Sequence, residues 1–226
     1  METEESFLQE CLSTTPVLDS TTGKVEVGEI MTYDRNLVKK AVHLIRDPFD
    51  NIVSRFHHAH KMHRNDEQFK NDFPKNSQGF QAWCANLDKK YSRLEEKEWG
   101  NEVFKASKNV PCRAEFFRYI QWHNLASVTL QQMEIPTLLM TYEDYAIDLD
   151  GTLSTLLDFL ELPNEKKAPG FHQGDYSMHF SLKQRIDAMN MMKVQASKKI
   201  WENIAPYRKK VLQLKKDQEA DTVSSK

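Results

Sequence analysis

The stretch Leu44-Ile45-Arg46-Asp47-Pro48-Phe49-Asp50-Asn51-Ile52-Val53-Ser54 decides the fold. It closes a short apolar run, Val38 to Ile45, that carries β-branched residues and stops at Arg46-Asp47-Pro48. Such a run suits a buried parallel strand. Asp47-Pro48 breaks it. Asp50 then reads as the N-cap of a helix whose apolar face is Ile52, Val53 and Phe56. An arginine therefore stands at the carboxyl end of a strand, where open α/β sheets bind their ligands. Ser54 follows eight residues later, in the first turns of the helix. Helix N-termini offer free N–H groups and positive potential. A guanidinium grips two oxygens of a phosphate, and a hydroxyl adds a third contact. The unit is suited to hold one phosphate through Arg46 and Ser54.

Upstream, residues 1–36 are poorly defined, with turn material at Ser13 to Pro16 and Asp19 to Gly23 and a weakly alternating short strand within Lys24 to Met31. Downstream, Arg55 to Pro74 is polar and rich in histidine. Phe80, Trp83, Leu87, Tyr91 and Leu94 recur at three- and four-residue steps and predict a helix from Gly79 to Lys97. A second runs from Pro111 to Met133 with Phe116, Ile120, Leu125 and Val128 inward. Pro136 to Tyr142 is a second compact apolar strand, ended by Glu143-Asp144. Gly151 to Leu162 is an amphipathic helix with Leu153, Leu156, Leu157, Phe159 and Leu160 as its core, stopped by Pro163. Residues 163–180 form a loop, Ser181 to Tyr207 one or two helices, and 215–226 a solvated tail. Strand, helix, long helical segment, strand, helix is the α/β pattern. Two strands are few for such a sheet, and the missing ones are expected upstream.

The composition bounds the rest. The chain has 226 residues, 39% of them hydrophobic, enough to bury a core. With 31 Lys+Arg against 33 Asp+Glu the net charge is −2, so nothing advertises nucleic acid and any anion site is local. No apolar run reaches the roughly 18 residues a bilayer span requires. Met1 to Gln9 is acidic and lacks a signal-peptide layout. Cys11, Cys84 and Cys112 cannot all pair internally and fit no zinc spacing, which favours a reduced compartment or incidental thiols. His57, His60 and His63 are spaced to share a helix face, but no cysteine or carboxylate completes a metal site, and no metal is expected. The four tryptophans, Trp83, Trp99, Trp122 and Trp201, read as core.

The Arg46 to Ser54 segment resembles the 3′-phosphate motif of the sulfotransferase family, an arginine at a strand end followed eight residues later by a serine. Leu138-Leu139-Met140-Thr141-Tyr142-Glu143-Asp144 is similar to that family's second strand, with its Tyr-Glu-Asp ending. Gly174-Asp175-Tyr176-Ser177-Met178-His179-Phe180-Ser181 is similar to its Gly-Asp-Trp-Lys-x-x-Phe-Thr stretch. The resemblance covers roughly residues 38–207. It implies a P-loop NTPase-like α/β fold, a parallel sheet flanked by helices, N-terminally incomplete, with the sulfotransferase-like domain at 37–214. It implies transfer of a sulfuryl group from 3′-phosphoadenosine-5′-phosphosulfate (PAPS) to a hydroxyl or amine of a small-molecule, glycan or protein acceptor. Arg46 and Ser54 are then expected on the 3′-phosphate and Tyr142 near the adenine.

The chain also departs from the family. The loop Pro-Lys-Ser-Gly-Thr-Thr, which cradles the 5′-phosphosulfate where charge develops, does not occur. The nearest string, Thr21-Thr22-Gly23-Lys24, ends 22 residues before Arg46 and reads as an ordinary turn. His43 is the only histidine before Arg46, Glu26 and Glu29 are available acids, and none of the three stands in a recognisable motif, so the catalytic base is unknown. The family's Arg-Lys-Gly is replaced by Pro169-Gly170-Phe171-His172-Gln173. A catalytically inactive or truncated relative, acting as a nucleotide-binding or interaction module, is the rival expectation. A kinase-like phosphoryl transferase is a weaker third, since it needs a Gly-rich Lys loop and a metal-binding acid. A complete N-terminus would imply the cytoplasm, and a missing anchor the Golgi.

Overall fold

The computed structural model describes residues 17–18, 25–26, 38–165, 167–171, 174 and 179–224. Along the chain come β1 (Val17–Leu18), β2 (Val25–Glu26), β3 (Ala41–Ile45), α1 (Pro48–Met62), α2 (Glu67–Asp72), α3 (Ser77–Glu98), α4 (Asn101–Ser107) and α5 (Arg113–Gln132). Then follow β4 (Thr137–Thr141), α6 (Asp144–Ile147), α7 (Leu149–Leu160), α8 (Leu182–Gln195) and α9 (Lys198–Ser224). The string Thr21 to Lys24, the residues 175–178 and the rest of the N-terminal segment lie outside the described residues.

The chain divides into two units, residues 1–43 with 125–139, and residues 44–124 with 140–226. In the first, β1 and β2 pair antiparallel, Val17 opposite Glu26 and Leu18 opposite Val25. The Ala41 N–H donates to the Pro136 carbonyl at 2.9 Å. The end of α5 lies here too. Glu134 takes the left-handed region at φ 53°, and the Ile135 N–H reaches back to the Leu130 carbonyl, closing the helix.

In the second unit the Tyr142 N–H donates to the Ile45 carbonyl at 2.8 Å. β3 and β4 make one two-stranded sheet, and its bonds advance in the same direction on both strands, so the pairing is parallel. Parallel strands need a long crossover, and α1 to α5 supply it. The class is α/β, as expected. β3, however, is buried on one face only. Ile45 is 2% exposed, whereas Leu44 is 40% exposed, because successive strand residues point to opposite faces.

α1 starts one turn earlier than the sequence suggests. Asp47, not Asp50, is its N-cap. The Asp47 carboxylate accepts from the N–H groups of Phe49 at 2.9 Å and Asp50 at 3.4 Å, and Pro48 stands where a missing N–H costs nothing. The helix runs through the histidine-rich stretch to Met62, and α2 follows with Asp66 as its cap. Gly79, in the first turn of α3, is held close to Pro74, and a Cβ there would overlap the Pro74 carbonyl.

The core of this unit is aromatic and sulfur-rich. Phe49, Ile52, Val53 and Phe56 of α1, Phe80 and Trp83 of α3, and Phe116 and Ile120 of α5 are buried with Phe180, Met189, Met191, Met192, Ile200 and Ile204. Phe49 meets Phe116 and Phe180 edge-on, with ring centroids 5.4 and 5.3 Å apart, a favoured aromatic geometry. Trp83 belongs to this core and Trp99 stacks on Phe117, but Trp122 is 45% exposed. Val128 was expected inward and is exposed. At roughly 100° per residue it lies far around α5 from the stripe of Phe116 and Ile120. The apolar residues of α7 are partly rather than fully buried. That helix ends through Glu161 in the left-handed region, with Pro163 beyond it.

The cysteine expectation is corrected. Cys84 of α3 and Cys112, just before α5, are joined in a disulfide, with Cα atoms 4.4 Å apart and both side chains buried. They are 28 residues apart, so spacing alone does not reveal that the fold brings them together. No helix among the described residues is long and apolar enough to cross a membrane.

Candidate nucleotide site

Arg46 leaves β3 at its carboxyl end and Tyr142 leaves β4 at the same end. The parallel pairing therefore sets them side by side. The Arg46 guanidinium carbon lies 4.3 Å from the centre of the Tyr142 ring, a cation–π contact. The Tyr142 ring also meets Phe171, with centroids 5.0 Å apart and planes at 66°. A cation and a partly exposed aromatic face thus share the strand ends, beside the N-terminus of the 15-residue helix α1.

The peptide unit between Arg46 and Asp47 is held at both ends. The Tyr119 hydroxyl of α5 donates to the Arg46 carbonyl at 2.6 Å. The Asp47 N–H donates to Glu143 Oε1 at 2.8 Å. The second oxygen, Glu143 Oε2, accepts from the Tyr207 hydroxyl of α9 at 2.6 Å. Glu143, Tyr119 and Tyr207 are all buried. Burial first, and then the neighbouring Asp47 and Glu143 carboxylates, push the Tyr119 phenol well above its ordinary range. Burial and its bond to Glu143 do the same for Tyr207. Both phenols therefore stay protonated and serve as donors. Asp47 is pushed up to about 6, chiefly by burial and then by Asp50, against the lowering effect of the two N–H groups it caps.

Ser54 stands on α1 at the edge of an open groove that it shares with Asn51, Arg55, His58, Ala59 and Trp83. Arg46 and Tyr142 do not line that groove. The structure thus joins Arg46 to Tyr142 directly and sets Ser54 on α1, in a groove that neither of them lines. Beside Ser54, Arg55 pairs with the buried carboxylate of Glu115.

The histidines make ring contacts. His60 is edge-on to Phe56 and Phe69, and His63 stacks on Phe69. His57 faces His179 across 6.2 Å, and its pKa is held below the ordinary value by burial and then by His179, Lys75 and His60. Among the described residues no group of three or more His, Cys, Asp or Glu is arranged to hold a metal ion.

The sequence reading names Arg46, Ser54 and Tyr142 and assigns nothing to Glu143, Tyr119 or Tyr207, which hold the Arg46–Asp47 peptide. Glu143 was in view as the residue ending a strand. No local pattern links it to Tyr207, 64 residues away.

No curated protein and no solved structure gives a significant match to this chain. A family model described as the sulfotransferase domain matches residues 34–210, which include both strand ends, Ser54, Glu143 and Tyr207, and the chain belongs to the sulfotransferase family.

Proposed function

We propose that the chain binds the nucleotide end of PAPS at the paired ends of β3 and β4, and that the sulfuryl group passes to a hydroxyl or amine acceptor. The observation that carries this reading is the Arg46–Tyr142 contact beside the capped start of α1. The residues present fit the nucleotide. Arg46 offers a bidentate cation for a 3′-phosphate, Ser54 a hydroxyl from α1, and Tyr142 an aromatic face for the adenine. In sulfuryl transfer the acceptor oxygen or nitrogen forms a bond to sulfur. The bond from sulfur to the 5′-phosphate oxygen breaks in line, and a base takes the acceptor's proton. No residue of this chain is assigned as that base.

A binding module that does not catalyse is the second reading, favoured by the absence of a Pro-Lys-x-Gly-Thr string from the 226 residues. One experiment separates the two. Labelled PAPS is offered with a mixed panel of hydroxyl and amine acceptors, and binding of 3′-phosphoadenosine 5′-phosphate (PAP) is measured in parallel. Transfer with PAP binding supports the enzyme. PAP binding without transfer supports the module. Failure to bind PAP overturns the nucleotide site.

We also propose that the chain matures in an oxidising compartment. The buried Cys84–Cys112 bond supports this, since such bonds persist where thiols are not kept reduced.

A further inference from the structure

A buried carboxylate is costly to desolvate unless its oxygens are satisfied. Glu143 accepts from a main-chain N–H on one oxygen and from the Tyr207 phenol on the other. Neither partner carries charge. The two bonds satisfy one oxygen each and leave the side chain fixed at both ends.

What Glu143 holds is specific. Its N–H partner belongs to Asp47, the residue after Arg46, and Glu143 itself follows Tyr142. One side chain therefore ties the chain just after β3 to the chain just after β4. The opposite end of the same peptide unit is fixed by Tyr119. With its carbonyl and the next N–H both bonded, Arg46 has little freedom to turn its Cα–Cβ direction. The Asp47 carboxylate is also left free to cap α1. Arg46, Tyr142 and the start of α1 are the groups assigned to the nucleotide, and Glu143 bonds the Asp47 N–H that follows the first and adjoins the second in the chain.

Resting on the proposed nucleotide site, we propose that Glu143 is a positioning residue, steadied by Tyr207 and assisted by Tyr119, that sets the preference for 3′-phosphorylated adenine nucleotides over those that lack the 3′-phosphate. It acts through the Arg46–Asp47 peptide and does not touch the ligand. Loosening this clamp lets Arg46 swing away from the phosphate, while the adenine contact at Tyr142 survives.

The test compares affinity for PAP with affinity for adenosine 5′-phosphate, which lacks the 3′-phosphate, in folded protein. The wild type is expected to prefer PAP, and Arg46→Ala to lose that preference. Glu143→Ala is expected to lose roughly tenfold of the preference, the size of one charge-assisted hydrogen bond, with adenosine 5′-phosphate binding almost unchanged. Glu143→Gln keeps an oxygen for the Asp47 N–H and is expected to recover most of the loss. Should Glu143→Ala fail to fold, Tyr119→Phe replaces it, with an expected loss of about two- to twelvefold, the size of one neutral hydrogen bond. A folded Glu143→Ala, or in its place a folded Tyr119→Phe, with an unaltered PAP preference overturns the proposal while leaving the nucleotide site standing. A wild type without preference overturns the nucleotide site itself and this proposal with it.

Discussion

The Arg46 guanidinium lies against the face of the Tyr142 ring, 4.3 Å from its centre, because two parallel strands end side by side. In the proposed nucleotide site Tyr142 has two roles, holding the cation and presenting a face to the base. Tyr142→Leu removes both. A cation–π contact contributes about 0.5–2 kcal/mol, so PAP affinity is expected to fall roughly 2- to 30-fold. Tyr142→Phe keeps the ring and is expected to bind within about twofold of wild type. Titration calorimetry reads both variants. Equal affinity in Tyr142→Leu and wild type would show that the ring serves packing alone.

The Asp47 carboxyl supplies a pH signature. Its pKa is raised to about 6 in the folded chain, against about 3.9 for an unperturbed aspartate. Between these values the folded state keeps a proton that the unfolded state has lost. Its contribution to stability is thus fully present below about pH 4 and is lost as pH rises through about 6. Asp47→Asn keeps a good cap acceptor and removes the titration. Its melting temperature, relative to wild type, is expected to rise between pH 4 and pH 7. A constant difference across that range would contradict the assignment.

The disulfide gives a test that needs no ligand. Protein isolated under alkylating, non-reducing conditions should show Cys84 and Cys112 unmodified by intact-mass analysis, and two further alkyl groups should add after reduction. Closing a loop of 28 residues contributes roughly 3–4 kcal/mol on chain-entropy grounds. Cys84→Ser is expected to lower the melting temperature accordingly. Alkylation of both cysteines in protein taken directly from its cell would place the chain in a reducing compartment and remove the case for an oxidising one.

The legibility of this chain follows the range of its interactions. β3 and α1 can be read from Val38 to Phe56 because an apolar run, a proline and a helical stripe follow one another locally. The cap is misread by one turn because Asp47 and Asp50 are chemically equivalent in sequence, and only the missing N–H of Pro48 favours the first. Val128 is misplaced because a stripe counted in threes and fours drifts around a helix longer than four turns. The Tyr-Glu-Asp motif points to Tyr142, but the work of Glu143 depends on a tyrosine 64 residues away. The Cys84–Cys112 pairing likewise depends on how α3 meets the start of α5. Local periodicity carries no record of either.

Ser54 offers the sharpest check on the phosphate site, because it lines a groove that does not include Arg46. If both side chains hold one phosphate, their effects must depend on each other. Arg46→Ala removes a charge-assisted contact and is expected to weaken PAP binding by about 1.5–3 kcal/mol, while Ser54→Ala costs about 0.5–1.5 kcal/mol. Once the guanidinium is gone the phosphate has no fixed position, and the hydroxyl loses most of its value. The double variant is therefore expected to bind more tightly than the two losses added together, with a coupling of at least about 0.5 kcal/mol. Binding of adenosine 5′-phosphate should respond to neither substitution. Full additivity for PAP would mean that Ser54 serves the groove beside Asn51 and His58, and that Arg46 holds the 3′-phosphate without it.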